Sequence, residues 1–259
     1  MDLGLTGRAA LVCASSKGLG LGTAKALAAA GCTLTINGRD PKRLDAVATQ
    51  LREEFGVSVT AVAADVSTQE GQAALLKACP APDILINNNG GPPRRDFREL
   101  TRPDMIDGVV QNMVTPIELI KAVIDGMIDR NFGRIVNITS MSVKRPIDGL
   151  DLSSGARAGL TAFLAGVCRQ VAAHNVTINN VLPGKFDTDR LKGGFERQSR
   201  QSGMPLEEVK KEQAREIPAG RFGNPDEFGQ TCAFLCSQHA GYITGQNILL
   251  DGGLYQSAF

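Results

Sequence analysis

Short apolar, β-branched runs alternate with longer stretches of helical periodicity along this chain. The short runs predict strands near residues 8–13, 33–37, 57–63, 83–87, 133–138, 175–181 and 246–250. The stretches between them predict helices near 18–30, 41–54, 69–78, 102–113, 115–130, 151–173 and 225–237. Asp40 followed by Pro41 reads as an N-cap and the first turn of the second helix. Regular alternation of strand and helix implies one parallel sheet with helices on both faces and right-handed crossovers. The expected fold class is therefore α/β, a doubly wound parallel sheet of about seven strands built by residues 1–259 as a single domain. Ligands of such sheets bind at the carboxyl ends of the strands.

One segment breaks the alternation. Residues 185–222 are polar and charge-rich, with Gly193-Gly194 and a helical middle at 205–216. A long connection after a strand end is a candidate lid over a site. A solvated excursion is the alternative, since its arginines and lysines alternate with glutamates.

Composition narrows the function classes. The chain is 42% hydrophobic and 21% charged, which suits an ordinary globular protein. A net charge of +1 gives no reason to expect nucleic acid or an anionic membrane as partner. No apolar run approaches the roughly 18 residues that span a bilayer. The first residues lack a charged region leading into an apolar one, so a cytoplasmic location is expected. Cys13, Cys32, Cys79, Cys168, Cys232 and Cys236 are scattered. Cys232 and Cys236 are one helical turn apart, but no histidine lies nearby at metal spacing, so free buried thiols and no metal are expected.

Candidate chemistry begins at the first strand end. There Ala14-Ser15-Ser16-Lys17-Gly18-Leu19-Gly20 runs into an alanine-rich helix. Glycines let a backbone approach a phosphate closely, and a helix N-terminus offers free N–H groups and partial positive charge. The motif alone also fits a plain strand-to-helix turn.

Further landmarks follow in order. They are Asp65-Val66 after the third strand, Asn87-Asn88-Asn89-Gly90 after the fourth, and Asn112 in a helix. Then come Gly133-Arg-Ile-Val-Asn-Ile-Thr-Ser140, the segment from Asn179 through Pro183-Gly184 to Thr188, Arg221-Phe-Gly-Asn-Pro-Asp-Glu227, and Ile243-Thr-Gly-Gln through Asp251-Gly-Gly. Together they resemble the short-chain dehydrogenase/reductase family over essentially the whole chain, in the branch of 3-oxoacyl-(acyl carrier protein) reductases. The resemblance implies a Rossmann-type fold, a nicotinamide cofactor, a small carbonyl or alcohol substrate, free or acyl-carrier-linked, and a homotetramer. It assigns the cofactor to Ala14, Ser16, Lys17, Gly18, Leu19, Gly20, Arg39, Asp65, Val66, Asn89, Gly90, Arg157, Pro183, Gly184 and Thr188. Ala14 stands where the family has Gly, which would crowd the turn.

The second strand ends Ile36-Asn37-Gly38-Arg39, with no carboxylate before Asp40. An acidic residue there usually holds a free ribose 2′-OH. Lys17 and Arg39 instead suit a 2′-phosphate, which favours NADP(H) over NAD(H).

The family's catalytic Tyr-x-x-x-Lys is the point of departure. By the resemblance, Ser140 and Asn112 keep catalytic roles, while the Tyr position falls on Ser153 and the Lys position on Arg157. A serine hydroxyl is a far weaker acid than a phenol and shorter by a ring. Arginine keeps its charge and cannot shuttle a proton. A water bridging Ser153 to substrate, or Lys144, Asp148 or Asp151, are candidate replacements. Tyr255 from a neighbouring subunit is another. Two readings stay open: an oxidoreductase with altered acid chemistry, and a non-catalytic NADP(H)-binding sensor or partner subunit.

Overall fold

A computed structural model describes residues 1–92 and 94–257. Seven parallel strands form one sheet in the order β3-β2-β1-β4-β5-β6-β7. They are β1 Ala9–Val12, β2 Thr33–Gly38, β3 Val59–Ala63, β4 Ile84–Asn87, β5 Gly133–Ile138, β6 Val176–Pro183 and β7 Asn247–Leu250. The single-domain Rossmann-type reading holds. β4 and β5 are buried along their whole length, as strands covered on both faces should be.

The helices are α1 Gly18–Ala29, α2 Pro41–Phe55, α3 Gln69–Ala78, α4 Arg102–Val109, α5 Thr115–Asp129, α6 Asp151–Val171, α7 Asp189–Ser202, α8 Leu206–Arg215 and α9 Pro225–Cys236. Two apolar layers pack the sheet. One includes Leu27, Leu44 and Phe228 from α1, α2 and α9. The other includes Leu119, Val123, Leu160 and Leu164 from α5 and α6. α1 and α9 approach so closely that a Cβ on Gly22 or Gly229 would strike backbone of the facing helix.

Two expectations need correction. The helices placed at 102–113 and 115–130 are one continuous run, because a π-helical segment, Val110–Val114, joins α4 to α5. π-turns inside helices recur at functional sites, and Asn112 lies in this one. Second, residues 185–222 hold two helices rather than one. α7 escaped the sequence reading because Gly193-Gly194 and a polar composition mask its periodicity, although Thr188 caps it and Gly203 ends it in a left-handed conformation. Phe195 packs on Phe222 at 5.1 Å between centroids, and Val209 is fully buried, so the excursion has its own small core.

Candidate active site

The strand order reverses between β1 and β4, and such a switch point opens a crevice at the carboxyl ends. Both chemistry-bearing loops lie there. Gly18 takes a positive φ of 57°. Gly20 is required because a Cβ would collide with the Ala14 carbonyl oxygen. Ala14 itself has φ 44°, a conformation that costs a side-chain-bearing residue strain. Two asparagines hold it there: its N–H donates to Asn37 Oδ1 at 3.2 Å, and Asn88 Nδ2 donates to its carbonyl at 3.1 Å.

No side chain caps α1. Asp40, Thr68, Thr101 and Asn224 cap α2, α3, α4 and α9. The open N-terminus at the Gly-rich turn is the property a phosphate needs. Asp40 accepts the Arg43 N–H at 3.2 Å, so the first carboxylate after β2 is committed to its helix. Around it Lys17 Nζ and Arg43 Nη1 each lie 3.9 Å from Asp189 Oδ2, and Arg39 Nη1 lies 3.8 Å from Asp65 Oδ2.

Asn89 orders the end of β4. Its amide donates to Ser67 Oγ at 2.9 Å and to the Gln111 carbonyl at 3.2 Å, and its Oδ1 accepts the Gly90 N–H at 2.8 Å. A cleft of about 250 Å³ opens here, lined by Arg39, Asp65, Asn89, Gly90, Asp107 and Leu152 among others.

Deeper lies a cavity of about 20 Å³ bordered by Val66, Asn88, Asn112, Thr115, Ile138 and Arg157. Three buried polar atoms at its wall have no partner: Asn87 Oδ1, Asn112 Oδ1 and Thr115 Oγ1. That volume and those groups suit a single water. Asn87 begins a ladder of amides across four strands. Asn87 Nδ2 donates to Asn137 Oδ1 at 2.9 Å, Asn137 Nδ2 to Asn180 Oδ1 at 3.0 Å, and Asn180 Nδ2 to Asn247 Oδ1 at 2.9 Å.

Arg157 is 8% exposed and Ser153 5%. Arg157 Nε donates to Ser153 Oγ at 3.2 Å, and its Nη1 to the Ile138 carbonyl at the end of β5 at 2.7 Å. Burial, reinforced by the charge of Arg190, pushes this guanidinium down to about 10. It is still a cation at neutral pH. Ser140, two residues past β5, accepts the Ser142 N–H at 3.1 Å, which leaves its own hydroxyl proton to donate outward.

The alternative donors are not buried. Lys144 and Asp148 are exposed, and Asp151 is exposed in the first turn of α6. Lys144 Nζ lies 5.7 Å from the Tyr255 ring of the same chain. Cys232 and Cys236 are buried thiols, and burial pushes Cys232 up to about 12. Among the described residues no metal-holding cluster of His, Cys, Asp or Glu occurs. No helix among them is long and apolar enough to cross a membrane.

Sequence reading missed Asn37, Asn88, Ser67, Thr115 and Arg190. Asn88 lay inside a quoted motif, and its neighbours Asn87 and Asn89 drew attention from it. Arg190 was hidden in a segment read as alternating charge, although Thr188 two residues earlier signalled a helix start.

Residues 13–255 match the family model described as Enoyl-(Acyl carrier protein) reductase. The chain is 31% identical over 259 residues to the 3-oxoacyl-[acyl-carrier-protein] reductase FabG of Aquifex aeolicus (strain VF5), spanning 98% of this chain and 100% of that one. It is 32% identical over 255 residues to the NADPH-dependent reductase BacG of Bacillus subtilis (strain 168), spanning 96% and 98%. Among solved structures, L-sorbose reductase from Gluconobacter frateurii, complexed with NADPH and L-sorbose, superposes with a TM-score of 0.94 at 28% identity, over 99% of this chain and 100% of that one.

Proposed function

Because the chain belongs to the short-chain dehydrogenase/reductase family, in its FabG-like branch, we propose that it is an NADP(H)-dependent oxidoreductase. Its substrates are a ketone and the corresponding secondary alcohol, and its acid chemistry is atypical. The observation that carries the reading is the cavity that Asn112, Ile138 and Arg157 border at the carboxyl ends of the strands, with no side chain capping α1 at the Gly-rich turn. BacG and the sorbose reductase, named as NADPH-dependent and NADPH-bound, support the choice of cofactor.

The residues present fit a dinucleotide. Ser16, Lys17, Gly18, Leu19 and Gly20 offer backbone N–H groups to phosphate. Ala14 has already adopted the left-handed conformation that the turn demands. Arg39, Asp65 and Val66 line the adenosine end, Asn89 and Gly90 the middle, and Arg157, Pro183, Gly184 and Thr188 the nicotinamide end. With Asp40 occupied as a cap, the exposed cations Lys17 and Arg39 favour a 2′-phosphate and so NADP(H) over NAD(H). Their ion pairs with Asp189 and Asp65 are long, exposed and easily exchanged.

A bound nicotinamide cofactor supplies the hydride that goes to the carbonyl carbon. Ser140 donates a hydrogen bond to the carbonyl oxygen. Ser153 and Arg157 stand where the family carries its Tyr and Lys. Arg157 holds a fixed positive charge near the developing alkoxide but keeps its proton. The proton that balances the hydride therefore comes from water relayed past the Ser153 hydroxyl. An absent phenol costs roughly 10²- to 10⁴-fold in rate, leaving positioning and cofactor chemistry intact. Residues 185–222 act as the substrate lid. Exposed Met105, Ile106 and Val109 on α4 and Phe163 on α6 offer apolar surface to a subunit interface, in keeping with the homotetramer that the family resemblance implies.

A second reading, an inactive NADP(H)-binding sensor or partner subunit, is favoured by one observation. The Ser153 oxygen is engaged by Arg157 within a buried pair. Titration with NADPH and NADH by nicotinamide fluorescence, followed by a ketone panel, separates the two. NADPH binding with turnover supports the enzyme. NADPH binding without turnover across the panel supports the sensor. No binding of either cofactor overturns both.

A further inference from the structure

The cations at the adenosine end come from three places in the chain. Lys17 immediately precedes α1, Arg39 follows β2, and Arg43 lies in the first turn of α2. Arg39 faces Asp65, past the end of β3, at 3.8 Å. Lys17 and Arg43 face a carboxylate from elsewhere. Both reach one oxygen, Asp189 Oδ2, at 3.9 Å each. Asp189 opens α7, in the excursion that follows β6. Two other carboxylates near in sequence are engaged differently. Asp40 accepts the Arg43 N–H as the cap of α2, and Asp187 faces Lys192 at 3.4 Å.

The first turn of α7 lies across the Gly-rich turn. A Cβ on Gly18 would stand 3.5 Å from the Thr188 methyl. On its other side Arg190 donates to the carbonyls of Gly91 and Pro92, each at 3.3 Å. The Gly-rich turn in turn abuts the end of β2, because a Cβ on Gly38 would meet Ser16 Oγ at 2.9 Å. That strand end is where a ribose 2′-substituent is read. An acid in a first turn is favoured by the helix dipole alone. This one is also placed so that cations from two other elements share it. All three side chains are exposed and both contacts are long, so the carboxylate is a weakly held counter-ion. A phosphate monoester outbids it, with about −1.5 to −2 charges at neutral pH and three acceptor oxygens. A guanidinium offers such a group paired donors.

We propose that Arg43 joins Lys17 in binding the 2′-phosphate of the cofactor, and that Asp189 competes with that phosphate for both. This rests on the NADP(H) reading of the crevice. Asp189 thereby sets how strongly NADP(H) is preferred. NAD(H), with a bare 2′-OH, leaves the carboxylate on its two cations.

The test compares ligands that differ only in the 2′-phosphate. Adenosine 2′,5′-bisphosphate and adenosine 5′-monophosphate are titrated calorimetrically, and NADPH and NADH by nicotinamide fluorescence. In each pair the readout is the ratio of the two Kd values, in which a general change in the site cancels. The parent is expected to prefer the 2′-phosphorylated member. Asp189→Asn is expected to raise that preference about threefold, the scale of an exposed ion pair removed from competition. Arg43→Gln is expected to lower it about tenfold, the scale of a charge-assisted hydrogen bond. Both side chains are exposed, and thermal melting of each variant checks folding. A role of Asp189 confined to the α7 dipole would shift melting and leave the ratio alone. A ratio unchanged or lowered by Asp189→Asn, or unmoved by Arg43→Gln, overturns the proposal. If NADPH binds all the same, only this inference falls. If the adenosine pair shows both shifts but neither NADPH nor NADH binds, only the oxidoreductase reading falls. If none of the four ligands binds, both fall.

Discussion

Two arginines are buried at opposite ends of β5, and among the described residues neither pairs with a carboxylate. Arg134, at the amino end, is 1% exposed. It donates to the carbonyls of Ser237, Gly133 and Asn175 and to Asn175 Oδ1, at 2.7 to 3.1 Å, and its guanidinium stacks 4.4 Å from the Phe132 ring. Arg157, at the carboxyl end, makes two hydrogen bonds and borders a cavity. The same side chain is closed off by the protein at one end and left open at the other. Charge satisfied by backbone is structure. Charge left wanting marks a site.

The sharpest way to break this contrast is to remove each charge. Arg134→Met strands several carbonyl acceptors and is expected to cost about 3 kcal/mol or more in chemical denaturation at fixed protein concentration. Arg157→Met removes a buried cation without an acid and is expected to be neutral or to stabilise by about 1 kcal/mol, while NADPH affinity falls. If both destabilise equally, Arg157 is structural and the contrast fails.

Next in size is the chemistry. If the open end is an active site lacking its phenol, Ser153→Tyr combined with Arg157→Lys should raise turnover on an accepted ketone by about 10²-fold or more. A rate unchanged or lowered, with folding intact, means that the site does not use the missing group.

The carboxyl end also carries backbone strain. Among the described non-glycine residues, positive φ occurs at Ala14, Asn131 and Asn175. The two asparagines precede β5 and β6, at the amino ends, and asparagine tolerates that region. Ala14 at the carboxyl end does not. Ala14→Gly should stabilise by about 1 kcal/mol or less, strain relieved being partly offset by chain entropy, and should tighten NADPH binding by a few-fold. Weaker binding of NADPH would show that the methyl belongs to the cradle.

The smallest effect comes from an arginine of the ordinary kind. Exposed Arg221 forks onto Glu227 at 2.8 and 2.7 Å, and with the Asn224 N–H it holds that carboxyl down to about 2. A lowered carboxyl favours the fold above its unfolded value near 4.5 and loses that benefit as pH falls toward 2. Glu227→Gln should therefore melt slightly below the parent at neutral pH, with the gap closing in acid. A gap that is constant with pH would mean the charge contributes nothing.

Most of the fold was legible. Parallel strands buried on both faces read as apolar runs, and Asp40-Pro41 announced its helix. Where reading failed, the local signal was real but its period was not the usual one. The π-segment at 110–114 shifts phase, so one run read as two helices. In α7 the glycine pair and the charges erased the apolar stripe. In the candidate site, single residues were legible as types: Gly18, Gly20 and Ser140 past strand ends, and Asn112 within a helical run. Relations across the chain were not. Nothing in the spacing says that Arg190 leans on the carbonyls of Gly91 and Pro92, or that Asn88 holds Ala14.

The amide ladder from Asn87 to Asn247 has a direction. Each side chain gives its NH₂ toward β7 and turns its oxygen toward β4. No member can be turned alone, because two oxygens or two NH₂ groups would then meet. The four are set together or not at all, and the sense they take leaves a bare oxygen, Asn87 Oδ1, at the wall of the cavity that Arg157 also borders. Four aligned dipoles thus end, negative pole foremost, beside a cation that has no acid. The ladder thereby turns a partial negative charge toward the cavity without neutralising the cation there, and its positive end lies three strands away, on Asn247, exposed on the edge strand β7.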